Sequence, residues 1–343
     1  MIDPEQFTIS DVAQKAGVSV STVSRVLNGK QDVSRETRER VLKIIEDLGY
    51  APQAQAQRLR AGMAHNIALL FPTKYPANSL FNPLDMDFIV GGAAAAGEHE
   101  FFFSLLTTNI NKRSILDLYR STQIDGLVLM QIHFEDWRVN VLRQFNYPFV
   151  MIGRCADNTG LSYIDVDFEA SVKMAFEHLV SLGHRNIGFI GHPQDLHESG
   201  YGPAMRSWQG YQTVLEAHGL NAHYREVSFV GKDIFNATLR LLDDTPNLTG
   251  IVTTHAYSVP HIQQALNAYG RRVPEDCSIV ALTSSRIAET TIPMLTHVEF
   301  PSYDMGYQAV DLLIRILAGQ MAQPEQILIP PQLVIRHSTR ALY

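Results

Sequence analysis

The sequence predicts an α/β chain: an N-terminal three-helix headpiece containing a helix-turn-helix, then two doubly wound parallel-sheet lobes. Three observations lead there. Residues 8–50 carry three short helical patterns and no apolar run. From Asn66 onward, apolar runs of four to six residues alternate with longer helical patterns, as buried parallel strands with helices between them do. The alternation restarts near residue 163, with too many strands for one compact sheet. At 343 residues, 45% hydrophobic and 18% charged, the chain can bury cores of that size.

Each element has a local cause. Thr8 can cap a first helix, with Asp11 three residues on, a stripe of Val12, Ala13 and Ala16, and Gly17 as its stop. Ser19 can cap a second, "VSTVSRVL", with Val23, Val26 and Leu27 inward and Asn28-Gly29 ending it. Ser34 can cap a third, in which Val41, Leu42, Ile45 and Leu48 repeat at helical spacing before Gly49. Then "YAPQAQAQRLRAGMAHN" offers only Leu59 as a large apolar residue, and its composition reads as a solvated linker that Pro52 could open as a short helix. The strand candidates follow: "IALLF" (67–71), "FFFSLL" (101–106), "GLVLM" (126–130), "FVMI" (149–152), "IGFI" (187–190), "GIVTT" (250–254) and "SIVAL" (278–282). Helical patterns at 86–98, 168–182 and 302–318 lie between several of them. In such folds ligands bind beyond the carboxyl ends of the strands, and two facing lobes place a ligand between them.

Composition excludes several classes. Two cysteines, Cys155 and Cys277, make neither a disulfide framework nor a metal cluster and suit a reducing cytoplasm. The first residues lack the basic and apolar regions of a secretory signal, and no run of about 18 apolar residues predicts a membrane span. Net charge is −7, yet residues 1–62 hold 9 basic and 8 acidic residues while residues 63–343 hold 19 and 27. The headpiece thus avoids the acidity of the rest, which permits contact with nucleic acid without proving it.

Small hydroxyl residues on the second helix are what entry into a DNA major groove about 12 Å wide would require. Val20, Ser21 and Thr22 form its outward first turn, and Arg25 lies one turn beyond Ser21. Hydroxyls bond bases or phosphates, valine touches a thymine methyl, and arginine reaches guanine or phosphate. The same spacing also suits an ordinary three-helix bundle with a polar face.

The stretch "TISDVAQKAGVSVSTVSRVLNGKQDVSRETRERVLKIIEDLGYAP" resembles the DNA-binding headpiece of the LacI/GalR family of bacterial repressors. "FEHLVSLGHRNIGFIG" (176–191), "RVPEDCSIVAL" (272–282) and "PPQLVIRHST" (330–339) resemble later landmarks of that family in the same order. The resemblance implies a headpiece over 1–50, a hinge helix or linker over 51–62, and a periplasmic-binding-protein-like, effector-binding core over 63–343. It places the N-lobe at about 63–162 and 294–325, and the C-lobe at about 163–293 and 326–343. It implies a cytoplasmic homodimer on double-stranded, pseudo-palindromic operator DNA, needing no cofactor or metal. Val20, Ser21 and Arg25 would read bases; Thr8, Ser10, Thr22, Ser24, Asn28 and Ser34 would hold phosphates. Leu59 would wedge into a minor-groove step between Arg58 and Arg60, while Gln55 replaces a frequently apolar hinge residue.

The pocket departs from the family pattern. An Asn-Asp pair expected after "GIVTT" is His255-Ala256, and an aspartate expected after "SIVAL" is Thr283. Ser207 stands where an arginine is usual, with Arg206 one residue earlier. Asp85, Arg154, Asp167, Arg206, Phe229, His255 and Thr283 are the effector-site candidates, although Asp85 and Asp167 suit helix caps equally well. Losing two acids while adding His255 near Arg154 and Arg206 points to a sugar-like effector that tolerates negative charge, such as a sugar phosphate. If Asp85 faces the cavity, that argument weakens and an amine or polyol returns. Three alternatives stay open: control by a protein corepressor, a solute-binding transport component, and an enzyme. The missing signal and attached headpiece oppose transport. The histidines match no trusted zinc spacing, and no G-x-S-x-G or phosphate-loop motif supports an enzyme.

Overall fold

The computed structural model describes residues 7–27, 30, 32–50, 63–71, 82–107 and 110–342. They form two compact units, Met1–Ala64 and His65–Tyr343. The expectations for Asn28, for Leu59 and for the 51–62 linker lie outside the described residues.

The first unit contains α1 (Ile9–Ala16), α2 (Val20–Leu27) and α3 (Arg35–Leu48). Thr8 and Asp11 close a reciprocal capping box, with Thr8 N–H donating to Asp11 Oδ2 at 2.7 Å and Asp11 N–H to Thr8 Oγ1 at 3.3 Å. Ser19 accepts from Thr22 N–H at 3.2 Å and Ser34 from Thr37 N–H at 3.3 Å. Gly17 and Gly49 adopt the left-handed conformation that ends α1 and α3. Val12, Ala13, Ala16, Val23, Val26 and Val41 form the core. Leu42, read as part of the inward stripe, is exposed instead; Val41 takes the buried position of that turn.

The second unit begins with β1 (Asn66–Leu70), α4 (Pro83–Glu98), β2 (Phe102–Leu106), α5 (Lys112–Arg120), β3 (Gly126–Leu129), α6 (Trp137–Gln144), β4 (Phe149–Ile152) and β5 (Tyr163–Val166). It continues with α7 (Phe168–Ser181), β6 (Ile187–Gly191), α8 (Gln194–Glu198), α9 (Gly202–His218), β7 (Tyr224–Glu226), α10 (Gly231–Asp244) and β8 (Gly250–Thr253). After a 3-10 turn come α11 (Val259–Ala268), β9 (Ser278–Thr283), α12 (Ser285–Ala288), β10 (Thr296–Glu299), α13 (Ser302–Leu317), β11 (Gln326–Ile329) and β12 (Leu333–Val334).

Two six-stranded sheets result, ordered β11-β5-β4-β3-β1-β2 and β12-β10-β9-β8-β6-β7. All neighbours are parallel except β10 and β12. The lobe limits expected at 162/163, 293/294 and 325/326 each leave one strand on the wrong side. β5 and β11 pair within the first sheet, and β10 pairs within the second, so the chain crosses after 166, after 299 and after 329. Apolar content alone does not say which sheet a strand joins. Helices α4 and α13 meet backbone to backbone: a Cβ on Gly91 would lie 2.1 Å from Tyr303 O, and one on Gly306 would lie 2.3 Å from Phe88 O. That close approach fixes α4, and with it Asp85 and Phe88, against the first sheet.

Candidate functional site

Two surfaces carry chemistry, one in each unit. On the first, α2 buries Val23 and Val26 and leaves Val20, Ser21 and Arg25 exposed, with Thr22 and Ser24 partly so. Ser19 shares hydrogen bonds with Ser21 at 2.7 Å and with Thr22 at 2.9 Å. Arg25 Nη1 lies 3.7 Å from Asp32 Oδ2, an exposed pair of little energetic worth that a phosphate or guanine can replace. Thr8, Ser10 and Ser34 are exposed at the starts of α1 and α3. Helix N-termini of this kind present free N–H groups to phosphate.

The second surface is a cavity of about 460 Å³ between the lobes, at the carboxyl ends of both sheets. Asp85 from α4, Asp165 from β5 and Gln131–His133 after β3 line one side; His192 after β6, Thr254 and His255 after β8, and Phe229 line the other. One edge is closed by the 194–202 segment, which contributes Asp195, Leu196, Ser199 and Tyr201 to the lining. That segment is tied across the cleft by Phe134 N–H to Gly200 O at 2.8 Å and Gly202 N–H to Ile132 O at 3.0 Å. Arg286 of α12 pairs with Asp87 of α4, a second tie between the lobes.

Of the seven effector-site candidates, Asp85, Phe229 and His255 line the cavity. Asp85 does not cap its helix; Asn82 does, accepting from Leu84 N–H at 3.2 Å. Asp85 Oδ2 is buried without a hydrogen-bond partner, and burial pushes the carboxyl up to about 7. Both ring nitrogens of His255 are buried without a partner, and burial pulls its pKa down to about 3, so the ring is neutral. It packs against the His192 ring at 4.4 Å and the Phe229 ring at 6.0 Å between centroids. His192 is lowered too, first by burial and then by His255 and His197.

The other four do not belong to the lining. Asp167 caps α7, accepting from Ala170 N–H at 3.1 Å. Arg154 Nη1 lies 3.6 Å from Asp165 Oδ2 behind the cavity wall. Arg206 turns from the cavity, donating from Nη2 to Cys155 O at 3.1 Å with its guanidinium 4.6 Å from the Phe134 ring. It bridges the lobes rather than lining the cavity. Thr283 is buried at the end of β9, its hydroxyl without a partner, and is not part of the lining. Among the described residues the grouping an anion would need is therefore missing: neither guanidinium lines the cavity, His255 is uncharged, and Asp85 is in the wall.

Sequence reading missed Asp165, His192, Tyr201 and the Phe88–Phe300–Phe168 ring group, all in the lining. His192 directly follows a strand end, a position that could have flagged it. Asp165 Oδ1 accepts from Val166 N–H at 2.9 Å, and burial raises this carboxyl to about 7 against the pull of Arg154 and Arg206.

A helix-turn-helix unit with a hydroxyl-rich outer helix, carried in one chain with a two-lobed binding-protein core, defines a DNA-binding transcriptional regulator. Residues 8–53 match the model for bacterial regulatory proteins of the lacI family, and residues 176–339 match that for a periplasmic binding protein-like domain. The HTH-type transcriptional regulator CelR of Thermobifida fusca is 31% identical over 339 residues, covering 96% of this chain and 98% of that protein. The chain belongs to the LacI family of regulators, and is not an enzyme. The ribose operon repressor of Halalkalibacterium halodurans is 29% identical, with 97% of each protein covered. Among solved structures, a CelR–cellobiose complex superimposes with a TM-score of 0.69 at 29% identity, covering 97% of this chain and 99% of that one. A lac repressor dimer bound to operator and the anti-inducer ONPF shares the fold, with a TM-score of 0.84 at 24% identity over 98% and 100% of the two chains. Among the described residues no helix is long and apolar enough to cross a membrane.

Proposed function

We propose that the protein is a cytoplasmic, homodimeric repressor that binds a pseudo-palindromic operator and changes its operator affinity when a sugar-like molecule fills the cavity between the lobes. Residues 1–50 act as the DNA-reading headpiece, 51–62 as the hinge and 63–343 as the effector-binding core. Val20, Ser21 and Arg25 read base edges; Thr8, Ser10, Thr22, Ser24, Asn28 and Ser34 hold phosphates; Leu59 wedges into the centre of the site. One headpiece reads one half-site, so two-fold pairing of chains gives the operator its symmetry.

The observation that carries the effector half is the cavity itself, whose wall holds buried polar atoms on Asp85 and His255 with no partner among the described residues. Such groups cost free energy until a ligand bonds them. The cavity lies within the 300–1,000 Å³ range of small-molecule sites and is closed along one edge, which favours a small molecule over a protein corepressor. CelR, the relative seen with cellobiose, supports a sugar-like occupant. The lining favours a neutral or cationic occupant over the anion first expected. A ligand that changes the angle between the lobes changes the spacing of the paired hinges, and linkage makes the effect reciprocal.

The test is selection of bound sites from random double-stranded DNA with the full-length protein. Enrichment of a pseudo-palindrome, lost in Arg25→Ala, is the predicted result. Recovery of no common sequence would overturn the reading.

A further inference from the structure

The cavity's polar groups differ sharply between its two sides. On the C-lobe side His192 and His255 are neutral rings. On the N-lobe side stand two carboxyls, Asp85 and Asp165. Asp165 has a guanidinium partner in Arg154. Asp85 has none: among the described residues no cation pairs with it, and its Oδ2 is buried without any hydrogen bond. Among the described residues no arginine or lysine belongs to the cavity lining.

Asn82 Nδ2 donates to the other oxygen of Asp85, Oδ1, at 3.4 Å, and three aromatic rings share the cavity lining with the carboxyl. Phe88 lies one turn further along the same face of α4. Its ring meets Phe300 edge-on at 6.0 Å, and Phe300 meets Phe168 at 5.8 Å. All three rings belong to the same cavity lining as Asp85. A carboxylate removed from water with no counter-charge is unstable. A sugar hydroxyl donates to it but does not neutralise it. An ammonium group does both, and the ring faces attract its charge.

We propose that the effector carries a protonated amine, held by Asp85 against Phe88, Phe168 and Phe300, on a sugar-sized polyhydroxyl ring whose other groups bond His255 and His192. This rests on the reading of the cavity as an effector site and narrows that reading to amine-bearing ligands, such as amino sugars. The same carboxyls disfavour anionic ligands.

The test uses matched sets of probes titrated calorimetrically into the full-length protein. Each set holds an amino sugar, its N-acetyl derivative and the parent sugar: glucosamine, galactosamine and the deacetylated chitobiose disaccharide with their counterparts. In at least one set the amine is expected to bind ten-fold or more tightly than both uncharged members. Asp85→Asn, of the same size, is expected to erase that preference. Because the wild-type comparison needs no variant, a poorly folding mutant does not blunt the test. Neutral members binding as tightly as the amine would overturn the amine inference and leave the sugar-like effector standing. Retention of the preference in folded Asp85→Asn would overturn the assignment to Asp85. No binding in any set would overturn both the inference and the sugar-like reading.

Discussion

The headpiece and the cavity treat polar groups in opposite ways. At the start of α2, the Ser19 hydroxyl bonds both Ser21 and Thr22 at the surface, and Arg25 keeps an exposed partner in Asp32. In the cavity, Asp85 and His255 hold buried polar atoms that bond nothing. The first arrangement stores little free energy, because water or neighbours already satisfy each group. The second stores strain that a ligand releases. A reading head must be stable on and off DNA, whereas a sensor gains its response from groups that are satisfied in only one state.

That contrast predicts opposite signs for changes that remove a polar or ionisable group. The largest effect is expected from Asp85→Asn. The carboxyl titrates near 7 in the fold and near 4 in the unfolded chain, so the native state favours its protonated form. Its contribution to stability is full below about pH 4 and is lost as pH rises through about 7. The substitution should therefore leave the ligand-free core nearly unchanged at pH 4 and stabilise it by on the order of 2–4 kcal/mol at pH 8, read by urea unfolding. A gain equal at both pH values would break the contrast.

His255→Phe should come next, raising ligand-free stability by ~1–3 kcal/mol while removing effector binding. His255 has the opposite titration: its depressed pKa makes the native ring neutral, so its contribution is present above about pH 6.5 and lost as pH falls toward 3. The gain from phenylalanine should thus grow on acidification. Destabilisation at pH 7 would mean the ring is satisfied in the native state.

In the headpiece the sign reverses and the size falls. Ser34→Ala removes the bond from Thr37 N–H to the cap hydroxyl and should cost about 1 kcal/mol of headpiece stability, measured by thermal unfolding. Ser21→Ala should change stability by less than ~0.5 kcal/mol. It should still weaken binding to a selected operator, because Ser21 is exposed and its hydroxyl bonds only Ser19 among the described residues.

Legibility in the sequence followed the range of the interactions. The caps at Thr8, Ser19 and Ser34 and the stops at Gly17 and Gly49 depend on residues three or four apart, and the sequence carries them openly. The apolar runs became β1 to β4, β6, β8 and β9. "YIDV" (163–166), "YRE" (224–226), "THVE" (296–299) and "QILI" (326–329) were not read as strands, since each carries polar or charged residues. Their sheet membership depends on partners up to 163 residues distant, such as Tyr163 beside Gln326. The cavity was hardest for the same reason. Asp165 breaks the apolar rule of its strand because it serves the cavity wall, and such local violations concentrate at functional sites. Arg154 and Arg206 are each held by a partner that only the fold brings close, whereas Asp167 caps its own helix through Ala170, three residues on, as its sequence position allowed.

The most direct test of the central claim is reciprocal titration of the full-length protein with a selected operator and with the tightest-binding probe of the matched sets. Operator affinity is measured with and without saturating probe, and probe affinity with and without saturating operator. Cavity occupancy coupled to DNA reading predicts the same fold-change, in the same direction, in both measurements. Two affinities that ignore each other would contradict the account.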